Sequence, residues 1–163
     1  MPMEPDIISF GKKTQCCGIF VGNRLNEVEN NVFQESSRIN STWGGNLVDM
    51  VRFTIYLEIM EQENLVNNAK QNGNYLLDQL KNIQIDYSDL VSNARGKGLF
   101  CAFDLPDSNH RDALASMLME NKVIVLGSGQ KSIRFRPHLN ITKDDINIGM
   151  DAIKKCLNKL KID

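Results

Sequence analysis

A short apolar run, Ile7-Ile8-Ser9-Phe10, stops at Gly11 and is followed at once by two lysines, Lys12 and Lys13. Asp6 to Phe10 reads as a strand, and Gly18 to Gly22 as a second. No strand candidate stands before the first. A buried strand with unpaired backbone groups on both edges is costly. The expectation is that this segment is the end of a larger sheet whose other strands the chain lacks. The lysines then have two readings. They serve solubility on a surface loop, or one of them is a nucleophile at the mouth of a sheet.

The remaining chain narrows the choice. With 163 residues, 42% hydrophobic and 24% charged, it has the composition of a folded protein of one domain or two small ones. A net charge of −1 gives no electrostatic footprint for nucleic acid. No apolar run reaches the ~18 residues that suggest a membrane span, and the acidic start MPMEPD does not read as a signal peptide. The cysteines, Cys16, Cys17, Cys101 and Cys156, lack metal-ligand spacing and lie far from His110 and His138. They read as reduced thiols in a cytoplasmic protein with no metal centre.

Residues 23–42 are polar and asparagine-rich, and read as loop with at most one helical turn. Leu47, Met50, Val51, Thr54, Ile55 and Ile59 then recur at helical spacing. After a break near Glu63-Asn64 the pattern resumes through Leu65, Ala69, Leu76, Leu77 and Leu80, giving one very long helix or two. Gly73 weakens the second half by about 1 kcal/mol relative to alanine. From residue 88 the texture changes. RGKG (95–98) reads as a turn, Leu99 to Leu105 as a core strand, and Asp107 to Asn121 as a helix capped by Asp107 or Ser108. Val123 to Leu126 and Ser132 to Phe135 read as strands around a GSGQK turn. Thr142 opens a final helix, with Asp144 and Asp145 at its positive end and lysines at the other. The organisation is an incomplete first part (1–45), a helical linking region (46–87) and an α+β domain (88–163).

Three stretches suggest ligands. GSGQKS (127–132) lacks phosphate-loop spacing and sits between strands, so a hairpin turn is the better reading. STWGGN (41–46) directly precedes a helix. Its backbone N–H groups and the Ser41 or Thr42 hydroxyl can meet a phosphate at the positive helix end, or simply cap it. IRFRPHL (133–139) puts Arg134 and Arg136 on one strand face. Arginine grips carboxylates with a planar fork, but either residue can instead make a structural ion pair.

PDIISFGKK, RINSTWGGNLVDMVR, GKGLFCAFDLP and IRFRPHLNIT, in this order, resemble the class III pyridoxal-phosphate-dependent aminotransferases of fold type I. The likeness runs from about Pro5 to the last helix and is greatest to the lysine 6-aminotransferase branch. It implies the α/β fold of the C-terminal part of such an enzyme: the end of the large-domain sheet, a long linking helix and a small α+β domain. The family register P-D-I-x-x-x-x-K implies that Lys12 covalently holds the cofactor and acts as base, with Lys13 the alternative. Thr42 matches the residue that reaches the cofactor phosphate of the neighbouring subunit; Asn40 and Ser41 line the same loop, Ser41 on the cofactor side and Asn40 on the substrate side. Arg134 matches the arginine that holds the substrate α-carboxylate, and Arg136 is left structural.

The likeness covers only about the last third of such enzymes. The aspartate on the pyridine nitrogen, the ring-stacking aromatic and the glycine-containing phosphate turn all lie upstream. The implied activity is transfer of the ε-amino group of L-lysine to 2-oxoglutarate by an intact, homodimeric, cytoplasmic enzyme. This chain alone is expected to be inactive, its other half being absent or carried by a separate chain. The alternatives are an ornithine or 4-aminobutyrate aminotransferase of the same class, and a non-catalytic piece that serves only in assembly.

Overall fold

The computed structural model describes residues 5–38, 41–42 and 44–161. It divides into two compact units, Met1–Glu63 and Asn64–Asp163. The helical stretch of residues 46–87 is therefore shared between them. It forms two helices, broken where Asn64 turns left-handed at φ 50°.

In the first unit, strand β1 (Ile7–Phe10) pairs antiparallel with β2 (Gly18–Val21), with Ile7 opposite Val21 and Phe10 opposite Gly18. The expectation of two unpaired edges is thus corrected. The chain turns back within seven residues and supplies one neighbour itself, while the other edge of β1 has no partner among the described residues. Short 3-10 turns occupy Lys12–Thr14 and Asn23–Glu27. Helix α1 (Leu47–Gln62) follows and buries none of its residues. Leu47, Val51, Ile55 and Ile59, the stripe that makes the segment legible as a helix, stay exposed, as do Ile7, Ile8 and Phe20.

The second unit has a true core. Helix α2 (Leu65–Asp86) leads into β3 (Ser92–Lys97) and β4 (Phe100–Asp104). Then come α3 (Ser108–Glu120), β5 (Leu126–Ser128), β6 (Ser132–Phe135) and α4 (Lys143–Leu160). The sheet order is β3-β4-β6-β5, each neighbouring pair antiparallel. Alternation along β4 and β6 sends Cys101, Phe103, Ile133 and Phe135 inward. There they join Leu76, Leu80 and Ile83 of α2, Leu114 and Leu118 of α3, and Ile153 and Leu157 of α4. The opposite face carries Ala102, Asp104, Ser132 and Arg134. Gly73 lets α2 approach the β3–β4 turn. A Cβ at Gly73 would collide with the backbone of Gly98, itself left-handed at φ 56°.

Three local expectations need correction. The RGKG segment is mostly strand: Arg95, Gly96 and Lys97 pair with Ala102, Cys101 and Phe100, and the turn is confined to Gly98-Leu99. This strand is polar and irregular between Ser92 and Arg95, with Asn93 at φ 53°, so it carries no apolar alternation. Residues 123–125 are not strand, and pairing begins only at Leu126. The GSGQK turn is correspondingly shorter, since Gly127 and Ser128 pair with Ile133 and Ser132. The final helix starts as expected, with Thr142 and Asp145 forming a reciprocal capping box. No described helix is long and apolar enough to cross a membrane.

Candidate active site

The lysine turn is built by aromatic packing on one side and a polar tether on the other. Phe10 stacks on Phe20 at 4.6 Å and on Phe53 of α1 at 5.6 Å between ring centroids. Gly18 is needed opposite Phe10, because a Cβ there would strike the Phe10 ring. Past β1 the chain runs extended through Gly11, against which the Cys17 thiol packs, and then enters the left-handed region at Lys12 (φ 58°). A non-glycine residue held there costs on the order of 1 kcal/mol. Lys13 is also exposed but not left-handed, so the backbone distinguishes the two amines. The Lys12 carbonyl accepts from the Gln15 N–H at 3.0 Å. The Gln15 side-chain oxygen accepts from Arg52 of α1 at 3.3 Å, and Arg52 also pairs with Asp49 at 3.0 Å. Gln15 and Arg52 were not legible in the sequence as parts of this turn. Only the Asp49/Arg52 spacing signals its half of the tether.

The second element is the approach to α1. The Ser41 carbonyl accepts from the Gly44 N–H at 3.1 Å, closing a tight turn, and Gly45 is left-handed at φ 79°. Asn46 caps the helix, its side chain accepting from the Val48 N–H at 3.1 Å. The hydroxyl-bearing residues Ser41 and Thr42 are exposed and not engaged as helix caps. They stand in the loop that enters the positive end of α1. Asn40 lies outside the described residues.

Arg134 belongs to the second unit. It sits on β6 with Ala102 and Leu126 in register on either side. Its Nε is buried and has no hydrogen-bond partner among the described residues, a state that leaves a strong donor open. The side chain borders a cavity of about 370 Å³ lined also by Arg95, Lys97, Phe100, Ala102 and Ser132. Arg95 is already engaged. It donates to Asp104 at 2.8 Å and to the Ser132 hydroxyl at 3.1 Å, while Ser132 and Asn93 donate to Asp104 at 2.6 and 2.9 Å. Burial by itself raises the Asp104 pKa. The hydrogen bonds from Ser132, Asn93 and Arg95, with the Arg95 charge, outweigh it and lower the value to about 2. Arg134 also borders a second, largely apolar cleft of about 280 Å³, shared with the exposed Arg136 and with Val123, Val125, Ile146 and Met150.

Lys12, Ser41 and Thr42 thus fall in one unit and Arg134 in the other. Each group has its own chemistry: an exposed amine can condense with an aldehyde, a hydroxyl-bearing turn at a helix N-terminus can hydrogen-bond an anion, and a guanidinium can grip a carboxylate.

A family model described as aminotransferase class-III matches residues 1–157. The chain is 48% identical over 156 residues to the L-lysine-epsilon aminotransferase of Amycolatopsis lactamdurans, covering 95% of this chain and 35% of that protein. It is 38% identical over 137 residues to the mitochondrial 4-aminobutyrate aminotransferase of Rattus norvegicus, covering 82% and 26%. Among solved structures, lysine aminotransferase from M. tuberculosis superposes with a TM-score of 0.92 at 45% identity, over 96% of this chain and 36% of that one. The chain therefore spans about a third of the length of the lysine aminotransferases it matches.

Proposed function

Because the chain belongs to the class III aminotransferase family, we propose that it is the C-terminal part of a pyridoxal-phosphate enzyme that moves the ε-amino group of L-lysine to 2-oxoglutarate. The observation that carries the reading is Lys12, the exposed amine set left-handed just past a strand end. The choice of lysine as donor is supported by the names of the relatives at 45–48% identity. The likeness to a 4-aminobutyrate aminotransferase keeps a different donor within the same class as the second reading.

Pyridoxal phosphate, when bound, supplies the electron-withdrawing ring that makes the C–H beside the transferred nitrogen acidic. In this proposal the Lys12 amine would hold the cofactor aldehyde and, once displaced by the substrate amine, would carry the proton between its two positions as a free amine. Thr42, with Ser41 in the same loop, binds the phosphate of the neighbouring subunit's cofactor at the α1 N-terminus, and Asn40 is assigned to the substrate. Arg134 offers the outer N–H donors of its guanidinium fork to the α-carboxylate of glutamate or 2-oxoglutarate.

The unburied apolar stripe of α1 and the exposed face of the β1–β2 hairpin fit a piece whose covering elements lie in the remaining two thirds of the enzyme. In that assembly residues 1–45 end the large domain, 46–87 link, and 88–163 form the small domain of a homodimeric cytoplasmic enzyme. Alone the chain is inactive, because the groups that hold the cofactor ring are upstream. The test is reductive trapping. The chain is mixed with pyridoxal phosphate, alone and together with the N-terminal portion of a lysine aminotransferase, then treated with borohydride and mapped by mass spectrometry. A single label on Lys12 in the mixture, with lysine-dependent formation of glutamate, is expected. Label scattered over surface lysines in the mixture overturns the assignment.

A further inference from the structure

Arg134 and Arg95 share one cross-strand row on the open face of the sheet, with Ala102 between them. Their surroundings differ in kind. Arg95 is engaged by three protein oxygens, from Asp104, the Asn93 carbonyl and the Ser132 hydroxyl. Arg134 makes no ion pair among the described residues, and its buried Nε has no acceptor. What it does have is a ring. Its guanidinium carbon lies 5.8 Å from the centroid of Phe100.

The register explains the contact. Ala102 stands directly opposite Arg134 and is too small to fill the space. Phe100, two residues earlier on β4, projects on the same face, within diagonal reach. Phe100 is 55% exposed, so its ring is not committed to the core and is free to face Arg134.

We propose that Phe100 is a positioning residue, whose ring holds the Arg134 guanidinium over the cavity so that its N–H donors face a carboxylate. This rests on the assignment of Arg134 to the substrate carboxylate made above. A cation–π contact attracts through the face of the guanidinium and leaves its in-plane donors free. An acidic neighbour, such as Asp104 is for Arg95, would orient the group equally well but would occupy those donors and cancel the charge. An aromatic support fixes the fork without competing with the ligand for it. Lys97, bordering the same cavity, adds positive potential.

The test reads the Arg134 Nε–H resonance in the full chain by NMR, in wild type, Phe100→Leu and Phe100→Tyr, with Arg134→Lys, which lacks that group, identifying the resonance. In the ligand-free chain a ring-current shift of the Arg134 side chain is expected in wild type and Phe100→Tyr, and lost in Phe100→Leu. On titration with 2-oxoglutarate of the chain assembled with the N-terminal portion of a lysine aminotransferase, Phe100→Leu is expected to bind about two- to fivefold more weakly, with Phe100→Tyr restoring wild-type affinity. Absence of the ring-current shift in wild type overturns the stack. Equal affinity of wild type and Phe100→Leu, with Arg134 responding in both, overturns the positioning role and leaves the Arg134 assignment standing. A ring-current shift with no response of Arg134 to 2-oxoglutarate overturns the Arg134 assignment and, with it, the role given to Phe100.

Discussion

The Asp104 carboxylate receives the Arg95 guanidinium and the Ser132 hydroxyl on the same oxygen, at 2.8 and 2.6 Å. This pairing ties β3 to β4 and β6 and commits Arg95, at the wall of the cavity beside Arg134, to protein partners.

The network makes stability depend on pH with a definite sign. The Asp104 pKa is lowered to about 2 from an ordinary value of 3.8. A depressed carboxylate stabilises the fold fully above its ordinary value, and the contribution disappears as pH falls through about 2. Asp104→Asn is expected to cost on the order of 1 to 2 kcal/mol at pH 7. Urea denaturation at pH 7 and pH 2 checks this, and the gap between wild type and variant should close at the lower pH.

Gly73 separates two opposite expectations. Helix propensity alone predicts that Gly73→Ala stabilises α2 by about 1 kcal/mol. The contact with the Gly98 backbone predicts a net loss of about 1 to 3 kcal/mol, since neither backbone can yield without moving the helix or the turn. Thermal melts of the single variant decide the sign.

Lys12 should trade stability for chemistry. In the assembled enzyme, Lys12→Gly is expected to relieve the left-handed strain and stabilise by up to about 1 kcal/mol, while losing the borohydride-trapped label. Lys12→Ala should lose the label without that gain. Lys13→Ala should keep it.

Arg134→Lys keeps the charge but removes the planar fork. In the assembled enzyme KM for 2-oxoglutarate is expected to rise about tenfold or more. Steady-state kinetics with varied keto acid tests this, and an unchanged KM would remove Arg134 from substrate binding.

Thr142→Ala removes the hydroxyl half of the capping box at the start of α4 and leaves the residue-142 N–H to donate to Asp145. A loss of about 1 kcal/mol is expected, read as a lower urea midpoint with unchanged slope.

What the sequence by itself determined is what local chemistry encodes. Thr142 with Asp145 announces a helix start because both partners lie within one turn. Ser132 to Phe135 announces a strand because alternation and Pro137 bound it. The placement of Lys12 after a strand, and of Ser41 and Thr42 before a helix, rests on neighbours only a few residues away. The tertiary structure alone decided the rest. Strand β3 is held by backbone pairing with β4, which leaves no apolar period in SNARGK. Gly73 meets Gly98, Arg52 reaches Gln15, and Phe100 supports Arg134 only through packing and register across distant segments. Capping and periodicity are written in adjacent residues, whereas register arises from hydrogen bonds between chain segments that no short window contains.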